Sequence, residues 1–287
     1  MKSLCIKSNN QDIISYLQKS FENINLENTY ISIKKFLHFN NIIIHYKGND
    51  YTKFNNYVSN SITKAIIGYC EEEIIYSNIS LNYFYFDSYE KKKILENTLN
   101  LLEEEKISKQ RYDYINNEIY KSLLSSHSLY LQGFINFKLN NYIDFLNNQI
   151  DVAVNKFLID KEYLEFVNIL KLYIKSEAEN SKTEHVHLIY KDKISIITDD
   201  NQNIISYNDN LRKAKYISDI SFSSNDLALN TLLNLIPKSI TIHLIDRYSD
   251  EFINTLKLIF GEKVNICEDC DICSIYKQKQ VENKNYK

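Results

Sequence analysis

Three of the chain's five cysteines stand at exact three-residue spacing near the C-terminus, in the run Cys267-Glu-Asp-Cys270-Asp-Ile-Cys273. Thiolates are soft ligands, and a Cys-x-x-Cys turn lets two sulfurs reach one tetrahedral ion without stretching the backbone. A third cysteine can add a third ligand to zinc or to an iron–sulfur cluster. A redox-sensitive thiol group is the competing reading, and inert packing thiols a further one. The acidic neighbours Glu268, Asp269 and Asp271 weigh against free thiolates, although carboxylates are themselves ligands. A fourth ligand would come from His185, His187, Asp269 or Asp271. The two histidines alternate with Val186, so a strand places both on one side; the polar face of a hairpin is the preferred reading of them.

His243 lies inside the apolar stretch Ile240–Ile245 and reads as a hydrogen-bonded core histidine. Cys5 and Cys70 are isolated and read as core residues. A separate constellation is Asp219, Asp226 and Asp246. Carboxylates at the edge of an open α/β sheet can hold Mg²⁺ for phosphodiester or nuclease-like chemistry. Their structural alternative is a helix first turn and a loop start. The chain carries no Gly-rich phosphate loop, Gly-x-Ser-x-Gly, His-Glu-x-x-His or dinucleotide fingerprint.

These residues must be positioned by a chain of 287 residues, 44% of them hydrophobic, with a net charge of −3. That length buries a real core. Acid and base are evenly mixed, so charge does not support nucleic acid as the partner. The local patch Arg212, Lys213 and Lys215 reads as a solvated loop. Four glycines, one proline and abundant Asn, Ile, Lys and Tyr follow an A/T-rich codon bias. No apolar run approaches the ~18 residues of a membrane span. Charge interrupts the N-terminus too soon for a signal peptide, so a cytoplasmic protein with reduced thiols is expected.

The elements read as an α+β fold. Residues 1–87 form a β-α-β-β-α unit: a strand at Ser3–Lys7, a helix at Asp12–Phe21, strands at Tyr30–Phe39 and Ile42–Tyr46 with Asn40-Asn41 as the turn, and a helix at Tyr51–Glu73. Ile74–Phe86 fits either a helix end or a strand. Residues 88–182 read as a helical bundle, with one apolar stripe from Leu139 to Phe157 and a second helix from Tyr163 to Ile174. Lys91–Lys93 and Glu103–Glu105 look like opposite ends of one exposed helix, in an order that opposes its dipole. Residues 183–287 form a β-α-β domain with an added hairpin, beginning after the polar run Ser176–Glu184. Its strands are His185–Tyr190, Ile194–Thr198, a short one at Ile204–Tyr207, Ile240–Ile245 and Val264–Ile266.

Two stretches carry a family resemblance. One is Leu129-Tyr-Leu-Gln-Gly133-Phe-Ile-Asn-Phe-Lys138-Leu together with Lys161-Glu-Tyr163-Leu-Glu-Phe-Val-Asn-Ile-Leu170-Lys. The other is Ser218-Asp-Ile-Ser-Phe-Ser-Ser-Asn-Asp226, followed by the leucine helix, Pro237 and the cysteine run. The chain resembles the sporulation protein YtxC family of endospore-forming Firmicutes over its C-terminal two thirds. The resemblance implies a role in sporulation inside the cell and assigns no reaction, cofactor or catalytic residue. Lys138 stands where arginine is expected, which keeps the charge and loses the planar fork. A protein partner is the function class these readings favour.

Overall fold

The computed structural model describes residues 1–23, 27–36, 39–205 and 223–284. Arg212, Lys213, Lys215, Asp219 and Tyr207 lie outside the described residues. The protein is α+β and divides into two compact units, residues 1–160 and 161–287.

In the first unit β1 (Lys2–Ser8), α1 (Gln11–Glu22), β2 (Thr29–Phe36), β3 (Phe39–Tyr46) and α2 (Tyr51–Tyr69) follow in the expected order. The Asn10 side chain caps α1 by accepting from the N–H groups of Asp12 and Ile13. That leaves Ile13, Ile14, Leu17 and Phe21 along one buried face. Asn40 and Asn41 are not the turn: they sit in β3, paired with Lys35 and Lys34. Because β-branched residues surround them, strand pairing overrides asparagine's turn preference.

α2 breaks at Cys70, and α3 (Glu71–Asn82) starts with three glutamates in its first turn, where the helix dipole favours acid. The ambiguous stretch after Glu73 is therefore helix as far as Asn82. Helices α4 (Ser88–Leu102) and α5 (Glu105–Ser125) resolve the opposed charge order. Lys91–Lys93 lie on α4, while Glu105 opens α5, so the acid stands at an N-terminus after all. β4 (Ser128–Tyr130), which the sequence did not disclose, adds parallel to β1 and completes a sheet of order β2-β3-β1-β4. α6 (Leu131–Lys138) follows, then α7 (Asn140–Glu177), one continuous helix where two were read.

A buried polar triad ties three of these helices. Arg111 on α5 donates to Glu71 on α3 at 2.5 Å, and the Tyr142 hydroxyl of α7 donates to the other carboxylate oxygen. The Arg111 and Glu71 side chains are 8% and 4% exposed, so this pair is not screened by solvent. Burial raises the Glu71 pKa, and the Tyr142 hydrogen bond and Arg111 partly offset it. Arg111→Met should lower urea stability by about 3–5 kcal/mol at neutral pH, because it strands a buried carboxylate. Glu71's folded pKa lies above its unfolded value, so the loss should shrink as pH falls and the carboxyl protonates. The Glu71→Gln/Arg111→Met double variant should recover much of it; a double variant as unstable as the single would show that the ion pair is not the cause.

In the second unit β5 (His185–Lys191) and β6 (Ile194–Thr198) make the expected hairpin. Its two-residue loop, Asp192-Lys193, has positive φ at both positions, 50° and 62°, as a primed turn requires. Ile204 contributes a single bridge to Thr198. α8 (Ser224–Leu235), β7 (Ser239–Leu244), α9 (Glu251–Phe260), β8 (Val264–Cys267) and α10 (Asp271–Lys284) complete the unit. The sheet order is β6-β5-β7-β8, with β7 parallel to both β5 and β8. Val186, Leu188, Tyr190, Ile240, Ile242 and Leu244 join one core with Val167 and Ile174 of α7, Leu232 of α8 and Leu256 of α9. Strand alternation then turns His185, His187, Thr241 and His243 to the opposite face. α10, which the sequence reading left unassigned, brings Cys273 to a small cluster with Ile189 and Ile245 on that face.

Candidate metal centre

β7 pairs with β8 so that His243 stands directly opposite Cys267. Cys270 precedes α10 and Cys273 lies in its first turn, which folds both sulfurs back over the end of β8. The result is one convergent group: His243, Cys267, Cys270 and Cys273, whose ligand atoms all lie within 4.8 Å of one another. His243 Nδ1 is 3.4 Å from both the Cys270 and Cys273 sulfurs. Cys273 Sγ is 3.7 Å from Cys270 Sγ and 3.9 Å from Cys267 Sγ. All three cysteines are free thiols.

The fourth group at the sulfurs is thus His243, not one of the residues read for it from sequence. His243 is buried and hydrogen-bonded, as a core histidine should be, yet its bond is to another imidazole: Nε2 lies 2.9 Å from His187 Nδ1. His187 and His185 belong to a second group with Asp200. His187 Nε2 is 3.3 Å and His185 Nε2 4.0 Å from one Asp200 oxygen. His185 Nδ1 meets Ser239 Oγ at 2.5 Å. Asp269 and Asp271 belong to neither group; Asp269 instead faces Lys277 at 3.9 Å.

Sequence reasoning passed over His243 and Asp200. The signal for His243 was available, because a parallel β7–β8 pair puts a mid-strand histidine beside the cysteine ending the next strand. Asp200 gave no local signal. It is placed by the turn after β6, where the Asp199 carboxylate accepts from the N–H groups of Asn201 and Asn203. Of the carboxylate triad, Asp226 and Asp246 are described, and each has a local partner. Asp226 caps α8 through Ser223, and Asp246 accepts from the Asp192 N–H. Among the described residues neither belongs to a metal-capable group of three or more, and Asp219 lies outside those residues.

Electrostatics grade the thiols. Burial opposes a Cys270 thiolate, but the backbone N–H of Cys273, the neighbouring thiols and the N–H of Ile272 outweigh it and lower its pKa. Burial pushes the Cys273 thiol up to about 12, and burial also raises Cys267. Burial, then His187 and His185, lower His243 to about 4, so its imidazole is neutral at physiological pH. Burial and His185 likewise lower His187, against the pull of Asp200.

The YtxC-like family matches residues 56–265 of the chain. The chain belongs to the YtxC-like family. It is 21% identical over 232 residues to the uncharacterized protein YtxC of Bacillus subtilis (strain 168), covering 77% of this chain and 79% of that protein. No solved structure matches. The family match includes His185, His187, Asp200 and His243 and ends just before Cys267.

The thiol grading has a direct readout. In metal-free protein Cys270 should react first with an alkylating reagent and buried Cys273 last, as followed by peptide mass mapping. Labelling of Cys273 ahead of Cys270 would contradict this arrangement.

Proposed function

We propose that this YtxC-like chain is a sporulation-associated intracellular protein that works by binding a protein partner. Its C-terminal unit carries one mononuclear zinc-class ion on His243, Cys267, Cys270 and Cys273. Ligand spacing carries the metal reading. Bonds of about 2.3 Å to sulfur and about 2.05 Å to nitrogen, at tetrahedral angles, imply edges of about 3.8 Å between sulfurs and about 3.5 Å from sulfur to nitrogen. Four of the six edges are 3.7 and 3.9 Å, and 3.4 Å twice, and the two from Cys267 to Cys270 and His243 lie within 4.8 Å. A [4Fe–4S] cluster takes one cysteine on each iron and a [2Fe–2S] cluster two on each, so in neither do four protein ligands converge on one ion. The spacing therefore favours zinc over a cluster. Four protein ligands close the tetrahedron, which is the structural arrangement and not the catalytic one.

The partner reading is supported by α7. Phe166, Ile169, Leu172 and Tyr173 are 51%, 63%, 68% and 44% exposed on its C-terminal half. Apolar side chains this concentrated mark interaction surface more often than solvent-facing helix. The sporulation setting and intracellular location rest on the family resemblance. Among the described residues no helix is long and apolar enough to cross a membrane.

Elemental analysis with an absorption spectrum on anaerobically purified protein tests the metal. The expected result is one zinc per chain and no iron–sulfur absorption; under about a tenth of an equivalent of any metal, with all three thiols freely reactive, would overturn it. A photo-crosslinker at Ile169, introduced in the native cells, should yield a protein adduct that the same probe at exposed Lys156 does not. Equal labelling at both positions would remove the partner reading.

A further inference from the structure

We propose that His185, His187 and Asp200 form a second divalent-cation site of nitrogen and oxygen ligands, and that filling it and filling the sulfur site exclude one another through the hydrogen bond between His187 and His243. The site arm stands on its own geometry; the exclusion arm rests on the zinc reading above.

Both imidazoles of the second group are held from behind and aimed forward. His185 is anchored through Nδ1 on Ser239, and His187 through Nδ1 on His243. Each therefore presents Nε2 toward Asp200 Oδ1, at 4.0 and 3.3 Å. A ligating histidine with its other nitrogen fixed by a hydrogen bond is the usual arrangement around protein-bound metals. The Asp200 side chain is 64% exposed, while His185 and His187 are 24% and 16% exposed. An ion there would keep solvent on its outer side. Two imidazoles and a carboxylate suit nickel, zinc or iron(II), in contrast to the sulfur-rich centre beside it.

The exclusion follows from counting protons on two neutral rings. When His243 turns the Nδ1 lone pair toward an ion among the sulfurs, its proton is on Nε2. That N–H donates to His187 Nδ1, so the His187 proton is on Nε2 and points at the Asp200 carboxylate, which can only accept. In this state His187 has no lone pair for the second site. An ion on His187 Nε2 reverses everything. The His187 proton moves to Nδ1, His243 must accept on Nε2, and the His243 proton then occupies Nδ1 among the sulfurs. Two ions together would press two N–H groups against each other across 2.9 Å. Coupling of this kind between sites commonly amounts to about 5–150-fold in affinity.

Ni²⁺ is the probe. The Cys267→Ser/Cys270→Ser/Cys273→Ser protein should bind one Ni²⁺ per chain by calorimetry, and adding His185→Gln and Asp200→Asn should abolish it. The intact chain loaded with one zinc should bind Ni²⁺ about ten-fold or more weakly than the serine variant, with zinc retention followed by a chromophoric chelator. Should the serine variant fail to fold, Asp200→Asn in the zinc-loaded intact chain, whose sulfur site is already filled, gives the reading on the weakened nickel binding that remains. That residue is exposed, and its loss should remove nickel binding while leaving zinc in place. Absence of nickel binding in folded serine variant, or nickel binding that survives Asp200→Asn while zinc fills the sulfur site, overturns the second site. Equal nickel affinity with and without zinc overturns the exclusion. If the chain takes up no zinc at all, the zinc reading and the exclusion fall together, while the serine variant still reads the second site.

Discussion

The pairing of β7 between β5 and β8 is the constraint on which the second unit's chemistry depends. Its register sets His243 opposite Cys267 on one side and Ile189 on the other. Side chains alternate along a strand, so a slip of one residue would send the histidines into the apolar core and bring Ile242 and Leu244 to the sulfurs. The core itself prevents this. Ile240 and Ile242 are fully buried against the helices on their face, which fixes the register without any contribution from the polar side. The apolar face thereby decides where the ligands of the other face meet.

Charge is the second constraint. Three thiolates and one divalent cation would leave a net negative centre beside Glu268, Asp269 and Asp271, which weighs against ligation. The start of α10 answers it. The N–H groups of Cys273 and Ile272 favour the Cys270 thiolate, and Asp271 sits in the first turn, where acid is tolerated. Lys277, further along the helix, donates to the Glu268 carbonyl at 3.0 Å. A helix that the sequence reading did not place thus supplies the field that makes the cysteine run workable.

Legibility followed the length scale of each interaction. Strand and helix order in both sheets came from local periodicity: Ile13, Ile14 and Leu17 on α1, the alternation of His185 to Tyr190, and the short polar stop before α8. The cysteine run was visible because its three ligands are neighbours in the chain. What escaped depended on distant partners. β4 is three residues long and exists as a strand because β1 accepts it as a neighbour. The break at Cys70 puts Glu71 at the start of α3, where its carboxylate meets Arg111, forty residues away. His243 looked like a core residue because its strand is apolar, and only the strand order reveals that its own face is the polar one. Asp200 reached the histidines through a turn that no local pattern announces.

The family match and the proposed metal centre divide at an informative point. Residues through Asn265 suffice for the family, and the main core of the second unit contains none of the four ligands of the sulfur site. The sulfurs belong instead to a small satellite cluster that joins α10 to the end of β8. In a small zinc domain the ion replaces a missing core, and its removal unfolds the chain. Here the sheet already has a core on its other face. The mechanical effect of the proposed ion would therefore be confined to the satellite: it would fix α10 against β7 and β8, and its loss would free that helix while the sheet persists. A site built this way would couple the thiol or metal state to the placement of a single helix, at little cost to the fold that carries it.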